Sequence, residues 1–159
     1  MSGVVVLRGP WSWRGSGGVR ERHVAVWWTE AVQMRNGALL PIVTSFHYTS
    51  RDPYAARIVF HPDPERHRGV SWYVERDLLA AGMRCRAGVG EVQVWPAPGP
   101  PGGGQVMLQI GPPAGRAVFL LDAAGLREWL AISYTLVPPG GESDRVDWRP
   151  LERLLSGQA

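Results

Sequence analysis

The sequence predicts an α+β domain of hairpin-linked antiparallel strands with a helix closing each half, and three observations carry that reading. Short stretches alternate apolar and polar residues with the two-residue period of half-buried strands, as Val70, Trp72 and Val74 do against Ser71, Tyr73 and Glu75. The breaks between these stretches are short and rich in Pro, Gly or Asn-Gly, which suits hairpins. Two stretches switch to helical spacing, each directly after a strand, one at Arg76 and the other at Ala123. With 159 residues, 45% of them hydrophobic and 19% charged, the chain fits one domain with a real core.

Residues 1–22 read as an N-terminal extension, partly flexible or an edge strand, in which a short apolar run, Val4 to Leu7, precedes a Gly-, Arg- and Trp-rich connector. Arg8, Trp11, Trp13 and Arg14 interleave cations with aromatic rings, a combination that can stack on nucleic-acid bases. Packing on the domain's own surface or on a neighbouring subunit accounts for the same tryptophans. The domain proper occupies residues 23–159. His23 to Met34 is a strand, Asn36-Gly37 a tight turn because both positions tolerate positive φ, and Ala38 to Tyr48 the returning strand. Ser50 to Pro53 interrupts the pattern, and Tyr54 to Phe60 resumes it with Tyr54, Ala56, Ile58 and Phe60 on one face.

The next stretch, HPDPERHRG, sets His61, Asp63, Glu65 and His67 at every second position, all of them capable of holding a metal. Its two prolines and terminal Gly69 describe a hairpin loop instead, and zinc sites use tighter Cys or His spacing, so no metal is expected. Val70 to Gly82 is the pivot of the chain. A strand passes at Glu75 straight into a short helix, and Gly82 sits where a left-handed cap favours a residue without a Cβ. Such a helix falls below the roughly 12–15 residues that hold alone, so Leu78 and Leu79 must dock.

Gly88 and Gly90 turn the chain into the strand Glu91 to Trp95, ended by Pro96. Pro96 to Gly104 has neither the Lys and Ser/Thr of a phosphate-binding loop nor a helix opening behind it, and reads as a hairpin linker. Gln105 to Ile110 and Arg116 to Leu121 pair across GPPAG. Asp122 caps the longest helix, Ala123 to Val137, whose Leu126, Trp129, Leu130, Tyr134 and Val137 form an apolar stripe suited to the core, or to an oligomer face of the same spacing. Pro138-Pro139-Gly140-Gly141 stops it. Asp147 is placed to cap a last helix through Leu155, with Leu151, Leu154 and Leu155 docking back.

The 17 basic residues are all Arg and, against 14 acids, leave a net charge of +3. No basic run is dense, so codon usage of a GC-rich genome is the first explanation and an acidic or nucleic-acid partner the second. Cys85 is the only cysteine; it excludes an intrachain disulfide, and although Arg84 and Arg86 flank it, no motif marks it as a nucleophile. No apolar run approaches the roughly 18–20 residues of a membrane span, and a cytoplasmic protein is expected. Nucleophile elbow, H-E-x-x-H, catalytic triad and dinucleotide fingerprint are all missing from the chain, which turns the expectation from catalysis to binding or assembly, without cofactor.

DPYA at Asp52 to Ala55, FHP at Phe60 to Pro62, SWYVERDLLAAG at Ser71 to Gly82, GEVQVWP at Gly90 to Pro96 and LREWL with VPPGGE near the carboxyl end stand together in one order. From about Ala38 to Leu155 the chain thereby resembles the SsgA-like family of actinobacterial sporulation and cell-division proteins. The resemblance implies a cytoplasmic, non-enzymatic protein recruited to septum sites, where it binds a division partner such as the tubulin-like GTPase FtsZ or a cell-wall-assembly partner. It implies two antiparallel sheets with helices in a Whirly-like fold, assembled as a homotrimer, and, through the fold, single-stranded nucleic-acid binding as the alternative activity. By position, Asp52, Pro53, Tyr54, Arg76, Asp77, Leu78, Leu79, Gly82, Trp95 and Pro96 lie on the family pattern. Most of them are expected to make the fold, with an interface role open to the rest. The first 22 or so residues, the Pro/Gly insertion and the basic balance depart from that pattern.

Overall fold

Each alternating stretch becomes a strand, and the strands hydrogen-bond into a single sheet. The computed structural model describes residues 3–9, 22–63, 65, 68–99, 104–145 and 148–157. Among these, β1 is Gly3–Gly9, β2 Arg22–Arg35, β3 Ala38–Thr49, β4 Asp52–Asp63 and β5 Arg68–Glu75; α1 is Arg76–Gly82. There follow β6 Val92–Pro96, β7 Gln105–Ile110, β8 Ala117–Asp122, α2 Ala123–Leu136 and α3 Arg149–Leu155.

The Asn36-Gly37 turn has φ of 50° and 78°, as a two-residue hairpin between right-twisted strands requires, and it fixes Arg35 opposite Ala38. The eight strands run in the order β5-β4-β3-β2-β8-β7-β6, with β1 beside β2, and every pairing is antiparallel. The expected two sheets are thus one hydrogen-bonded sheet. The reason is the 14-residue length of β2, which outlasts either partner on its second edge: β1 covers Arg22 to Trp28, and β8 covers Val32 to Met34. Irregular register at His47/Thr49 and at Phe60/Asp63 marks bulges, which add twist to β3–β5.

The Tyr54 strand starts two residues earlier than its alternation suggests and runs on to Asp63, and its partner resumes at Arg68, so the hairpin loop is shorter than HPDPERHRG. Cross-strand pairing extends both beyond their apolar residues. Pro96, expected to end β6, pairs with Val106 within it. Here β6 is the last strand of the sheet, where a proline's missing N–H costs no ladder bond on the open side.

One face of the sheet buries Trp27, Phe46, Tyr48, Ile58, Phe60 and Phe119 under α1 and α2. Asp122 caps α2 as its position predicts, its carboxylate accepting from the Gly125 amide at 2.6 Å. Leu126, Trp129 and Leu130 then enter the core, where the Trp129 ring meets Phe46 edge-on at 5.5 Å and its N–H donates to the Ala25 carbonyl at 3.3 Å. The helix stops one residue short of the predicted Val137, which is buried but extended at φ −142° ahead of the prolines. No helix among the described residues is long and apolar enough to cross a membrane.

The last helix departs from expectation. Leu154 and Leu155 are 76% and 80% exposed and Leu151 is exposed as well, so α3 does not dock back. It spans two turns, it begins after Trp148, and the proposed cap Asp147 lies outside the described residues. Correct apolar spacing gave it a face without giving it anything to cover.

Candidate functional site

The pivot delivers its first helical residue into the core. Arg76 is 1% exposed, with its guanidinium between the rings of Tyr48 and Tyr134, 4.5 and 4.2 Å from their centroids. Flat and weakly hydrated, a guanidinium fits such a slot as a lysine ammonium would not. It donates to the carbonyls of Ser133 and Val137 at 3.0 and 2.8 Å and pairs with the Glu142 carboxylate at 2.5 Å. Those carbonyls lie at the C-terminal end of α2, which carries partial negative charge; the Ser133 carbonyl also accepts the Val137 amide at 3.2 Å, and Val137 is the residue that caps the helix. One cation from α1 therefore satisfies the end of α2 and the loop that follows it. Burial pushes the Glu142 carboxyl up, but its backbone hydrogen bonds and the Arg76 guanidinium outweigh that and hold it below the usual carboxylate range.

Asp77, next in sequence, stays at the surface and accepts from the Tyr134 hydroxyl at 2.9 Å. Burial and that bond to Asp77 push the Tyr134 hydroxyl up to about 12. Both charged residues of α1 thus grip α2 and the loop after it. The start of β4 joins the same cluster: the Pro53 carbonyl accepts from Tyr48 at 2.9 Å, and the Tyr54 hydroxyl meets Ser143 Oγ at 3.1 Å. Asp52 opens β4 opposite Thr49 and is exposed.

Leu79 is fully buried and Leu78 packs at the edge of the core, as docking requires. Gly82 has a different reason from the one its position suggests. It lies inside α1 with ordinary φ, and a Cβ built on it would stand 2.3 Å from Cβ and Cγ1 of Val94. Close approach of α1 to β6 demands the glycine, where a left-handed cap was expected. Trp95 is half-buried with the Arg86 guanidinium 4.2 Å above its ring, and Pro96 is exposed beside it. Arg76, Asp77, Leu78, Leu79 and Gly82 thus hold α1 in place and Pro53 and Tyr54 join the cluster at its start, whereas Asp52 and Pro96 are exposed.

The opposite face of β2–β5 carries no described helix, and sequence reasoning passed over it. There Trp28, 45% exposed, stacks on His61 at 5.2 Å and meets His47 edge-on at 6.4 Å. Ser45 Oγ lies between the two imidazoles, 2.8 Å from His47 Nε2 and 3.1 Å from His61 Nε2. Arg57 donates through Nε and Nη2 to Ser71 Oγ at 3.2 and 3.1 Å, with Tyr73 directly across from it and 62% exposed. Burial first, then the charge of Arg57, lowers the pKa of both histidines, so they are neutral at pH 7 and the field they sense is positive. The available signal was parity: Ser45, His47, Arg57, Val59, His61, Ser71 and Tyr73 are all odd-numbered positions of three registered strands.

His61, the first of the residues weighed as metal ligands, is committed to this array, and His67 lies outside the described residues. Among the described residues no three His, Cys, Asp or Glu side chains come together to hold a metal. Cys85 is exposed. Of the proposed nucleic-acid contacts, Arg8 has its backbone in β1 opposite His23, while Trp11, Trp13 and Arg14 lie outside the described residues.

Comparison with known proteins gives one consistent answer. A family profile described as Streptomyces sporulation and cell division protein, SsgA, matches residues 42–142. The sporulation-specific cell division protein SsgB of Salinispora tropica is 36% identical over 120 residues, covering 75% of this chain and 83% of its own. That of Frankia casuarinae is 40% identical over 111 residues, covering 70% and 76%. Among solved structures, an SsgB, mutations in which correlate to longitudinal cell division during sporulation of Streptomyces coelicolor, superposes with a TM-score of 0.72 at 28% identity, covering 81% of this chain and 100% of the other. An SsgA-like sporulation-specific cell division protein from Thermobifida fusca gives 0.69 at 29%, covering 86% and 96%.

Proposed function

The chain belongs to the SsgA family of sporulation and cell-division proteins, and we propose that it acts there as a non-enzymatic scaffold that helps site or build septa. It does so in the cytoplasm, recruited to septum sites, by binding a division partner of the FtsZ type or a cell-wall-assembly partner, as a homotrimer that shows each partner several equal surfaces. The observation that carries this reading is the family match across the domain, with relatives named as cell-division proteins over three quarters or more of their length. The pivot supports it physically. Arg76, Glu142, Asp77 and Tyr134, the kinds of residue an active site would use, are all engaged in holding α1 to α2.

Co-sedimentation tests it: the purified chain should pellet with FtsZ polymers in proportion to their amount. Absence from the pellet at every attainable concentration removes FtsZ as the partner. Deletion of the gene in its source organism should then displace or abolish sporulation septa.

A Whirly-like, single-stranded nucleic-acid-binding activity is the second reading, favoured by the exposed rings of Trp28 and Tyr73 on the same face as Arg57. Titration with an oligothymidylate at two salt concentrations separates it: binding that weakens steeply with salt supports it, and no binding at low salt ends it.

A further inference from the structure

The two ends of the sheet are finished differently. At one end, the outer edge of β6 is covered at its middle by the loop before it, Ala87 exchanging backbone hydrogen bonds with Val94 at 2.8 and 2.9 Å. At the other end, no strand or bridge among the described residues pairs with the outer edge of β5. Exposed edges are ordinarily blunted with proline, lysine or inward charges, because a row of unpaired N–H and C=O groups templates another strand. Gly69 to Val74 has none of these devices. It offers Val70, 55% exposed, and half-buried Trp72 on the core face, with Ser71 and Tyr73 on the outer face.

The outer face is charged toward that same edge. Arg57 lies on β4, yet its guanidinium leans over to Ser71 of the edge strand β5, and no carboxylate among the described residues pairs with it. The two histidines behind it, their pKa lowered first by burial and then by the Arg57 charge, add no negative charge to this face. Glu75, exposed at the end of β5, is the nearest acid in that strand and would repel an anion placed one turn of the pleat too far along.

We infer that the open edge of β5 is a docking site for an extended segment of a partner protein that alternates apolar and acidic residues. The segment adds a strand to the sheet, its apolar side chains covering Val70 and Trp72 and an acidic side chain meeting Arg57 beside Ser71. Main-chain hydrogen bonds supply the attachment, and the alternation supplies register and selectivity. This assignment rests on the partner-binding reading above and names the surface and the chemistry it uses.

The probe is a capped heptapeptide, Thr-Val-Glu-Val-Glu-Val-Thr, with a counterpart carrying Lys in place of Glu. Titrated into the labelled full chain and followed by NMR, the acidic peptide should shift the amides of Arg68 to Glu75 and slow their hydrogen exchange, while the Lys peptide binds about threefold to fivefold more weakly or not at all. Arg57→Glu should reverse that order, with Arg57→Gln removing the preference if the charge reversal disturbs the fold. The assignment is overturned by any of four results: no β5 shifts at millimolar peptide, equal binding of the two peptides, an oligothymidylate moving these amides in the peptide's place, or shifts that grow with protein concentration alone and so mark a second copy. Co-sedimentation run in parallel separates the two proposals. Pelleting without peptide binding removes only the edge assignment, and peptide binding without pelleting removes only the FtsZ partner.

Discussion

Arg76 is enclosed by groups that depend on its charge and its shape: both terminal nitrogens are bonded and its plane lies between two rings, with only Nε left without a partner among the described residues. Truncating it to Met leaves the Glu142 carboxylate buried without its cation and the Val137 carbonyl without the Arg76 donor, while Ser133 keeps only the Val137 amide. Breaking one partner of a buried pair costs about 3–5 kcal/mol, so Arg76→Met should lower the urea midpoint severely with little change in slope. Arg76→Lys restores the charge but neither the fork nor the stacking on Tyr48 and Tyr134, and should recover only part of the loss. Acid gives an independent reading of the same contact. The Glu142 carboxyl has a lower pKa folded than unfolded, so its contribution is full above the ordinary value of 4.5 and disappears as pH falls through the folded one. Glu142→Gln should flatten that limb of the stability curve, and an unchanged limb would contradict the assignment. At the alkaline end Tyr134 works in reverse: with its hydroxyl raised from 10.0 to about 12, the contribution holds below 10 and is lost as pH rises through 12, which a phenolate absorbance titration follows.

At α1, Gly82→Ala tests close packing against capping. With 2.3 Å between the added carbon and Val94, α1 must lift from β6, and overpacking of this kind costs about 1–3 kcal/mol. A left-handed cap would instead have shown positive φ. A thermal midpoint unchanged by the substitution would remove the close-approach explanation. The same residue shows where the sequence was readable and where it stopped. Local signals gave correct elements: Asn36-Gly37 placed its hairpin, Asp122 its helix start, and the alternation of Val70 to Glu75 its strand. Whatever depended on a partner distant in the chain did not show. Gly82 answers to Val94, Arg76 to α2 and Glu142 beyond it, and the joining of two half-sheets to the Val32–Met34 segment of β2. The outer array was hidden for the same reason, since His47, His61 and Trp28 meet only after three strands find register. In α3 the opposite error occurred, because spacing predicts an apolar face and says nothing of a surface to receive it.

The finished domain leaves a good deal of apolar area in water, including Trp28 and Tyr73 on the outer face, Val70 at the open edge and three leucines of α3. A single edge strand with one surface ion pair is a weak attachment, because such pairs contribute about 0–1 kcal/mol each. A scaffold relying on it gains by repetition, since linked sites multiply affinity by about 10²–10⁴ without any new contact. Closed threefold symmetry is one way to repeat it, and it would also give exposed apolar surface a neighbour to cover it. Sedimentation velocity should therefore find a particle of three times the chain's 17.5 kDa at micromolar concentration. A single-chain mass across that range would leave each edge to bind alone, and co-sedimentation with polymers would then have to be about 10²-fold weaker than a trimer allows. Dilution links the two measurements: as the trimer dissociates, the chain should leave the polymer pellet over the same concentration range, whereas a monomeric scaffold would show no such coincidence.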